Sequence, residues 1–387
     1  MRITVNDIIG AMNTIAPSDL AESWDNVGLQ VGDPQWTVRR IWMALDPLPE
    51  VVQAAAKQKI DLLITHHPLL FDRLSSINLS NPNGRIIADA IQQKIAIYSA
   101  HTNLDKVSNG INDILAQVFD LMDIQPIISD TNSDIVKLII FVPQSHAEKI
   151  LNVLFEKNAG IIENYSKCSF QTEGVGTFQP GASSTPYLGQ RGQFERVNEC
   201  RIETLISLKD LPYAIRDAKE CHPYETMAYD IYPLKNPPSD NGIGRVGNLK
   251  NPLKLKELAD IIMKKLNLSY VRIIGDPNLN VSRMAVCSGS GGSLLKNVLT
   301  KDIQAYVTGD LKYHDARNIE AYSMGAIDVG HFDTEHIFID HIVPKLQNIL
   351  DVRKWPVKVL PCPIERNPFQ LKINNEQWNS EQQSLVH

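Results

Sequence analysis

The chain has 387 residues, 43% of them hydrophobic, which suits two or three soluble domains with ordinary cores. A formal charge of -6 and the lack of any basic stripe argue against nucleic acid as a partner. No apolar run approaches a membrane span, the N-terminus has no signal-peptide core, and Cys168, Cys200, Cys221, Cys287 and Cys362 are scattered without CxxC spacing, so a reducing, cytoplasmic setting is expected.

Residues up to about 130 alternate short apolar strands with helices: Arg40 to Leu45, a helix from about Pro49 to Lys59, Asp61 to Thr65, a helix from about Arg85 to Lys94, then Ile95 to Ala100. Continuous apolar strands between helices predict a parallel sheet covered on both faces. The pattern stops near residue 131. Over 132–243 it becomes strand Ile135 to Val142, helix Ala147 to Lys157, strands Lys167 to Phe178 and Arg201 to Ser207, helix Leu211 to Glu220, and strand Thr226 to Tyr232. That βαββαβ order is ferredoxin-like. Its turn-rich middle connection, from Gln179 to Gly192, is expected to project as a loop, and Asn236-Pro-Pro-Ser-Asp-Asn-Gly-Ile-Gly244 punctuates the far boundary. Strands then resume at Met284 to Cys287, Ala305 to Thr308 and Ala326 to Val329. The expected fold class is therefore α/β: two similar lobes with parallel-type sheets, 1–131 and 244–373, an inserted ferredoxin-like domain at 132–243, and a polar tail at 374–387.

The chemistry gathers at strand ends. His66 and His67 close the run Asp61-Leu-Leu-Ile-Thr-His-His-Pro68; Asp105 follows the next strand in His101-Thr-Asn-Leu-Asp105; His331 and Glu335 stand four apart in Gly330-His-Phe-Asp-Thr-Glu335. Open α/β sheets place their sites at the carboxyl ends of strands, and imidazole with carboxylate is the ligand set of zinc, iron, manganese or nickel. Consecutive strand residues point to opposite faces, so His66 and His67 converge only if the strand stops; Pro68 permits the turn. Glu335 is expected in the first turn of a helix beginning near Thr334.

A lone His at a strand end is more often a hydrogen-bonded structural residue, but several strand ends finishing in His or Asp, with a His/Glu pair besides, favour metal. His101 and His314, the latter in Thr308-Gly-Asp-Leu-Lys-Tyr-His314, are candidate proton carriers or substrate-facing groups. His146, His336, His341 and the pair Cys221-His222 read as packed or solvated. Ser288-Gly-Ser-Gly-Gly-Ser293 offers backbone N–H groups to an anion but lacks the Walker lysine and the dinucleotide spacing.

Asp25-Asn-Val-Gly-Leu-Gln-Val-Gly-Asp33, Thr65-His-His-Pro68, His101-Thr-Asn-Leu-Asp105, Thr308-Gly-Asp-Leu-Lys-Tyr-His314 and Gly330-His-Phe-Asp-Thr-Glu335 together resemble the NIF-three-like dinuclear-metal family, commonly labelled GTP cyclohydrolase 1 type 2 homolog. The segment His222-Pro-Tyr-Glu-Thr-Met-Ala-Tyr-Asp-Ile-Tyr232 resembles the PII/CutA-like domain inserted in its longer bacterial members. The resemblance implies two divalent metal ions per chain, one on His67 and Asp105, the other on His66 and His331, bridged by Glu335. It also implies a small anionic substrate, with GTP the candidate, imidazole-ring opening with formate release, no membrane, and a homohexamer. Two other functions suit the same residues: a two-metal phosphoesterase, and a non-enzymatic metal-handling or regulatory protein.

Overall fold

The computed structural model describes residues 2–72, 74–130, 135–162, 165–234 and 240–371. The polar tail at 374–387 lies outside the described residues. Two compact units are present: Met1–Ser129 with Asp240–His387, and Asp130–Ser239.

The first unit holds two sheets. One contains β1 (Gly28–Val31), β2 (Arg40–Ala44), β3 (Leu62–Thr65), β4 (Ala96–Ser99) and β15 (Lys358–Pro361), in the order β1-β4-β3-β2-β15. All neighbours are parallel except the β1–β4 pair. Alternation along each strand divides the apolar runs between the two faces. Ile41, Met43, Leu62, Ile64, Ala96 and Tyr98 pack with helices Val5–Asn13 and Phe338–Val352. Trp42, Ala44, Leu63 and Ile97 pack with helices Pro49–Lys57 and Pro82–Gln93. Both helices start with Pro in the first turn, where the missing N–H costs nothing.

The second sheet runs β11-β14-β13-β12-β10-β5, with β5 Met122–Ser129, β10 Gly242–Lys254, β11 Arg272–Ile274, β12 Asn280–Ser290, β13 Ala305–Gly309 and β14 Gly325–Asp328. β12, β13 and β14 are parallel; β11, β10 and β5 join antiparallel. Met284, Val286, Ala305, Val307 and Ile327 share one core with helices Ile111–Val118 and Leu255–Leu266, while Ala285, Tyr306 and Ala326 face another.

The sheets do not divide where the sequence pattern did. β5 comes from the first stretch of chain but pairs in the second sheet, and β15 comes from the last stretch but pairs in the first. Each sheet is thus completed by a strand from the other end of the unit. Helix Ile111–Val118 is fixed to the second sheet by Arg245 of β10, 1% exposed, whose guanidinium donates to both oxygens of Asp113 at 2.6 and 2.8 Å and to the carbonyls of Gly242 and Gly244. A buried guanidinium with this many acceptors holds a fixed geometry.

The second unit has four antiparallel strands, β6 (Ile135–Pro143), β7 (Ser169–Phe178), β8 (Glu195–Ser207) and β9 (Tyr229–Pro233), ordered β7-β8-β6-β9. Helices Ala147–Glu156 and Leu211–Cys221 cover one face over Leu138, Ile140, Ile202 and Ile206. The connection from Gln179 to Gly192 does not simply project. Its Thr185 N–H donates to Glu225 at 2.9 Å, and the Gly192 N–H closes on the Pro180 carbonyl at 2.8 Å.

Candidate metal centre

β3 ends at Thr65, so His66 and His67 lie just beyond it. Their N–H groups bond the carbonyls of Ala44 and Leu45, continuing the pairing with β2 while the chain bends at His66 and His67, just before Pro68. The strand stops where the convergence of two adjacent imidazoles requires it to stop. His66 is fully buried and donates from Nδ1 to the Ala100 carbonyl at 2.9 Å. His67 donates from Nδ1 to Asp46 at 2.8 Å, and His331, after β14, from Nδ1 to Asp310 at 2.7 Å. His101, after β4, does the same to Asp25 at 2.9 Å. Each Nδ1–H is spent on an oxygen acceptor, so each Nε2 is left with an outward lone pair.

Those lone pairs meet carboxylates. His66 Nε2 stands 3.6 Å from Glu335 Oε1 and 3.8 Å from Asp105 Oδ1, and it has no hydrogen-bond partner although buried. His67 Nε2 and His331 Nε2 lie 3.1 and 2.9 Å from Glu335 Oε2 and 3.3 Å from each other. Two imidazole lone pairs and a carboxylate oxygen cannot satisfy one another; a proton or a metal cation must sit among them. Ligand atoms of His66, His67 and His101 also fall within 4.8 Å of one another. The donor set fits metal: one buried carboxylate turns one oxygen to His66, which Asp105 also approaches, and the other to His67 and His331.

The surroundings are shaped for this. Gly289 has φ +60, and a Cβ there would lie 2.1 Å from Glu335 Oε1, so only glycine leaves room for the carboxylate. The N–H groups of Ser288, Gly289 and Gly291 are spent on Asn112, Thr334 and Thr308, and Ser288 Oγ donates to Asp105. The Ser288–Ser293 segment is therefore committed to holding the centre, rather than to cradling an anion on these amides. Asp46 is itself steadied by buried Glu365, whose Oε1 accepts the N–H groups of Leu45 and Asp46 at 2.6 and 3.0 Å.

With protons as the only cations, burial opposes charge on these imidazoles, but Asp46 and Glu335 override it for His67, pushed up to about 10. His331 is raised to about 9, chiefly by its hydrogen bond to Glu335. Burial would raise Glu335, yet the surrounding imidazoles hold it well below the usual carboxylate range. Asp25 is likewise buried, but bonds from His101 and Thr102 bring it down to about 2.

All five expected ligands, His66, His67, Asp105, His331 and Glu335, are brought together. Within the cluster His66 Nε2 is 3.8 Å from Asp105 and His67 Nε2 is 3.3 Å from His331 Nε2, while the two adjacent imidazoles have centroids 5.1 Å apart. Glu335 is the last residue of the short helix His331–Glu335, so a helix N-terminus does not stabilise it; the imidazoles do. His101 stands beside His66 and His67, ring centroids 5.1 and 5.6 Å away, with its tautomer set like theirs, which makes it a further potential ligand as well as a proton carrier. His314 is exposed on helix Tyr313–Ala321 with its ring against Tyr313, and it joins neither group. Asp25, Asp46 and Asp310 went unassigned in the sequence, although each flanks a motif or strand end.

This is an α/β protein with a buried His/carboxylate centre, suited to metal, at the carboxyl ends of its strands. A family model described as Duf34/NIF3 (NGG1p interacting factor 3) matches residues 3–368, and the chain belongs to that family. A protein from Bacillus subtilis named GTP cyclohydrolase 1 type 2 homolog is 35% identical over 363 residues, covering 94% of this chain and 97% of its own. A Mycobacterium leprae protein of the same name is 35% identical over 377 residues, covering 96% of each chain. Among solved structures, Staphylococcus aureus protein SA1388 matches with TM-score 0.79 at 30% identity, covering 96% of this chain and 99% of its own. A Bacillus cereus protein related to NIF3 matches with TM-score 0.70 at 33% identity, over 96% and 100%. Among the described residues no helix is long and apolar enough to cross a membrane.

Proposed function

We propose that the centre holds two divalent ions bridged by Glu335 and that the protein is a metal-dependent hydrolase acting on a small anionic substrate, with GTP the leading candidate. What supports this most is Glu335: one buried carboxylate with each oxygen turned to a different set of tautomer-fixed ligands. Such ions would supply Lewis acidity and activate water at neutral pH. The chain's own groups do the rest. Asp46, Asp310 and Ala100 lock the imidazoles, and Gly289 leaves the space that Glu335 fills. His101, held by Asp25 at the edge of the cluster, is placed to carry a proton if it stays uncoordinated.

For GTP, one water adds at C8 of the purine and opens the imidazole ring by breaking one C–N bond to leave a formamide; a second water hydrolyses that formamide, so formate leaves and the amine remains. The name carried by the relatives favours that reaction over phosphoester hydrolysis. The experiment is to load the protein with zinc, iron, manganese or nickel and supply GTP and a panel of phosphoesters, following formate and phosphate separately. Metal-dependent formate release supports the cyclohydrolase reading; phosphate alone replaces it with a phosphoesterase, and neither product favours a metal-handling role.

A further inference from the structure

The second unit contains a cavity of about 440 Å3 that the metal centre does not explain. Phe178, Tyr187 and Tyr224 wall it with Leu188, and Glu199 and Glu225 supply carboxylates. Phe178 and Tyr224 have centroids 6.1 Å apart at 55°, and Tyr187 and Tyr224 6.3 Å apart at 48°. These are oblique walls of a concave corner, not a stack that fills itself.

The corner is built from beneath. His222 is buried, donates from Nε2 to the Phe141 carbonyl at 3.0 Å and accepts the Tyr224 N–H at Nδ1, so both its nitrogens are used in holding Tyr224. The Tyr224 hydroxyl donates to Glu199 Oε1 at 2.9 Å. Glu199 Oε2 lies over Gly176, where a Cβ would come within 2.1 Å; any larger residue would displace the carboxylate. Glu225 takes the Thr185 N–H and so fastens the 179–192 connection, which brings Tyr187 and Leu188 to the wall.

Among the described residues no lysine or arginine lines this space, and the Glu199 carboxylate is met there by the neutral Tyr224 hydroxyl. Electron-rich ring faces beside a carboxylate attract positive charge and repel anions. We propose that this cavity is a binding site for a small organic cation, an alkylammonium or guanidinium group seated against the three rings with Glu199 as its counter-charge.

The test uses the full chain and calorimetric titration with choline, agmatine and spermidine, with 3,3-dimethyl-1-butanol as the uncharged counterpart of choline. At least one cation is expected to bind saturably, and the alcohol is not. Glu199→Gln keeps the shape and the Tyr224 bond, and should weaken that cation at least about tenfold. Tyr187 is 53% exposed, so Tyr187→Ala should fold normally yet also weaken binding, while Tyr187→Phe should retain it. Equal binding of the alcohol, undiminished binding in Glu199→Gln, or no saturable binding of any cation up to about 10 mM overturns the proposal.

Discussion

Replacing Gly289 by Ala tests how tightly the centre is built. The added methyl would sit 2.1 Å from Glu335 Oε1, 3.0 Å from its Cδ and 3.3 Å from His331 Nε2. Ordinary contact would need the carboxylate to withdraw by more than about 1 Å, beyond the roughly 0.5 Å tolerance of a working site. The backbone there has φ +60, which costs a non-glycine residue about 1–2 kcal/mol, and overpacking adds about 1–3. A loss of about 2–5 kcal/mol leaves a typical domain folded but lowers its Tm by roughly 5–15 °C. Because the two oxygens share one carbon, displacing Glu335 should empty both ion positions together. Gly292→Ala is the control: its methyl would meet only Asp315 Oδ2, at 3.3 Å, with no positive φ. Differential scanning calorimetry and elemental analysis of both variants decide the matter. A Gly289→Ala protein with the metal content and Tm of Gly292→Ala would refute the packing geometry.

Asp46→Ala should free His67 to rotate and weaken metal binding by roughly 10- to 100-fold, read by competition with a chelating dye; unchanged affinity would deny Asp46 its orienting role. Removing Asp113 strands buried Arg245 and should cost about 3–5 kcal/mol in denaturant unfolding. The raised imidazoles give a pH signature. A folded-state pKa above the unfolded value near 6.5 stabilises fully below that value and is lost as pH rises through the folded one. Chelator-treated protein should therefore lose stability from about pH 6.5 through 9 and 10, whereas metal-loaded protein, which has exchanged those protons for ions, should not. Metal uptake should release protons over the same range. Excising 130–239 should leave the first unit folded and able to bind metal, because Ser129 and Gly242 are direct cross-strand partners that a short hairpin can join; loss of cooperative unfolding would show that the unit depends on the insert.

The buried parallel strands were legible because both faces of each must be apolar. Arg40–Ala44, Leu62–Thr65 and Ala96–Ser99 lie within a residue of the runs the pattern marks. The antiparallel borders were not. β1 opens on Gly28, β5 contains Pro126, and β10 begins Gly-Ile-Gly and carries Asn-Pro, so each resembles a turn or linker and gains its strand character from partners far away in sequence. β15 is four residues at an edge. The ligands were legible because metal chemistry limits the residue types and the strand ends limit their places. The partners of those ligands were not: Asp46, Asp310 and Glu365 act through hydrogen bonds that no spacing announces, and Gly289 matters through the room it leaves. His314 stands inside a motif the sequence singles out, yet its helix turns the side chain to solvent, apart from the ligand cluster.

The bridge by Glu335 is the claim on which the proposed chemistry stands, and metal stoichiometry tests it without reference to any substrate. Wild type and Glu335→Gln, each saturated with one divalent metal and dialysed, should be compared by elemental analysis alongside circular dichroism. The account predicts about two ions per chain in the folded wild type and loss at both positions in an equally folded Glu335→Gln. An undiminished metal content in that variant, or a wild type that retains none of the metals tried, would contradict it.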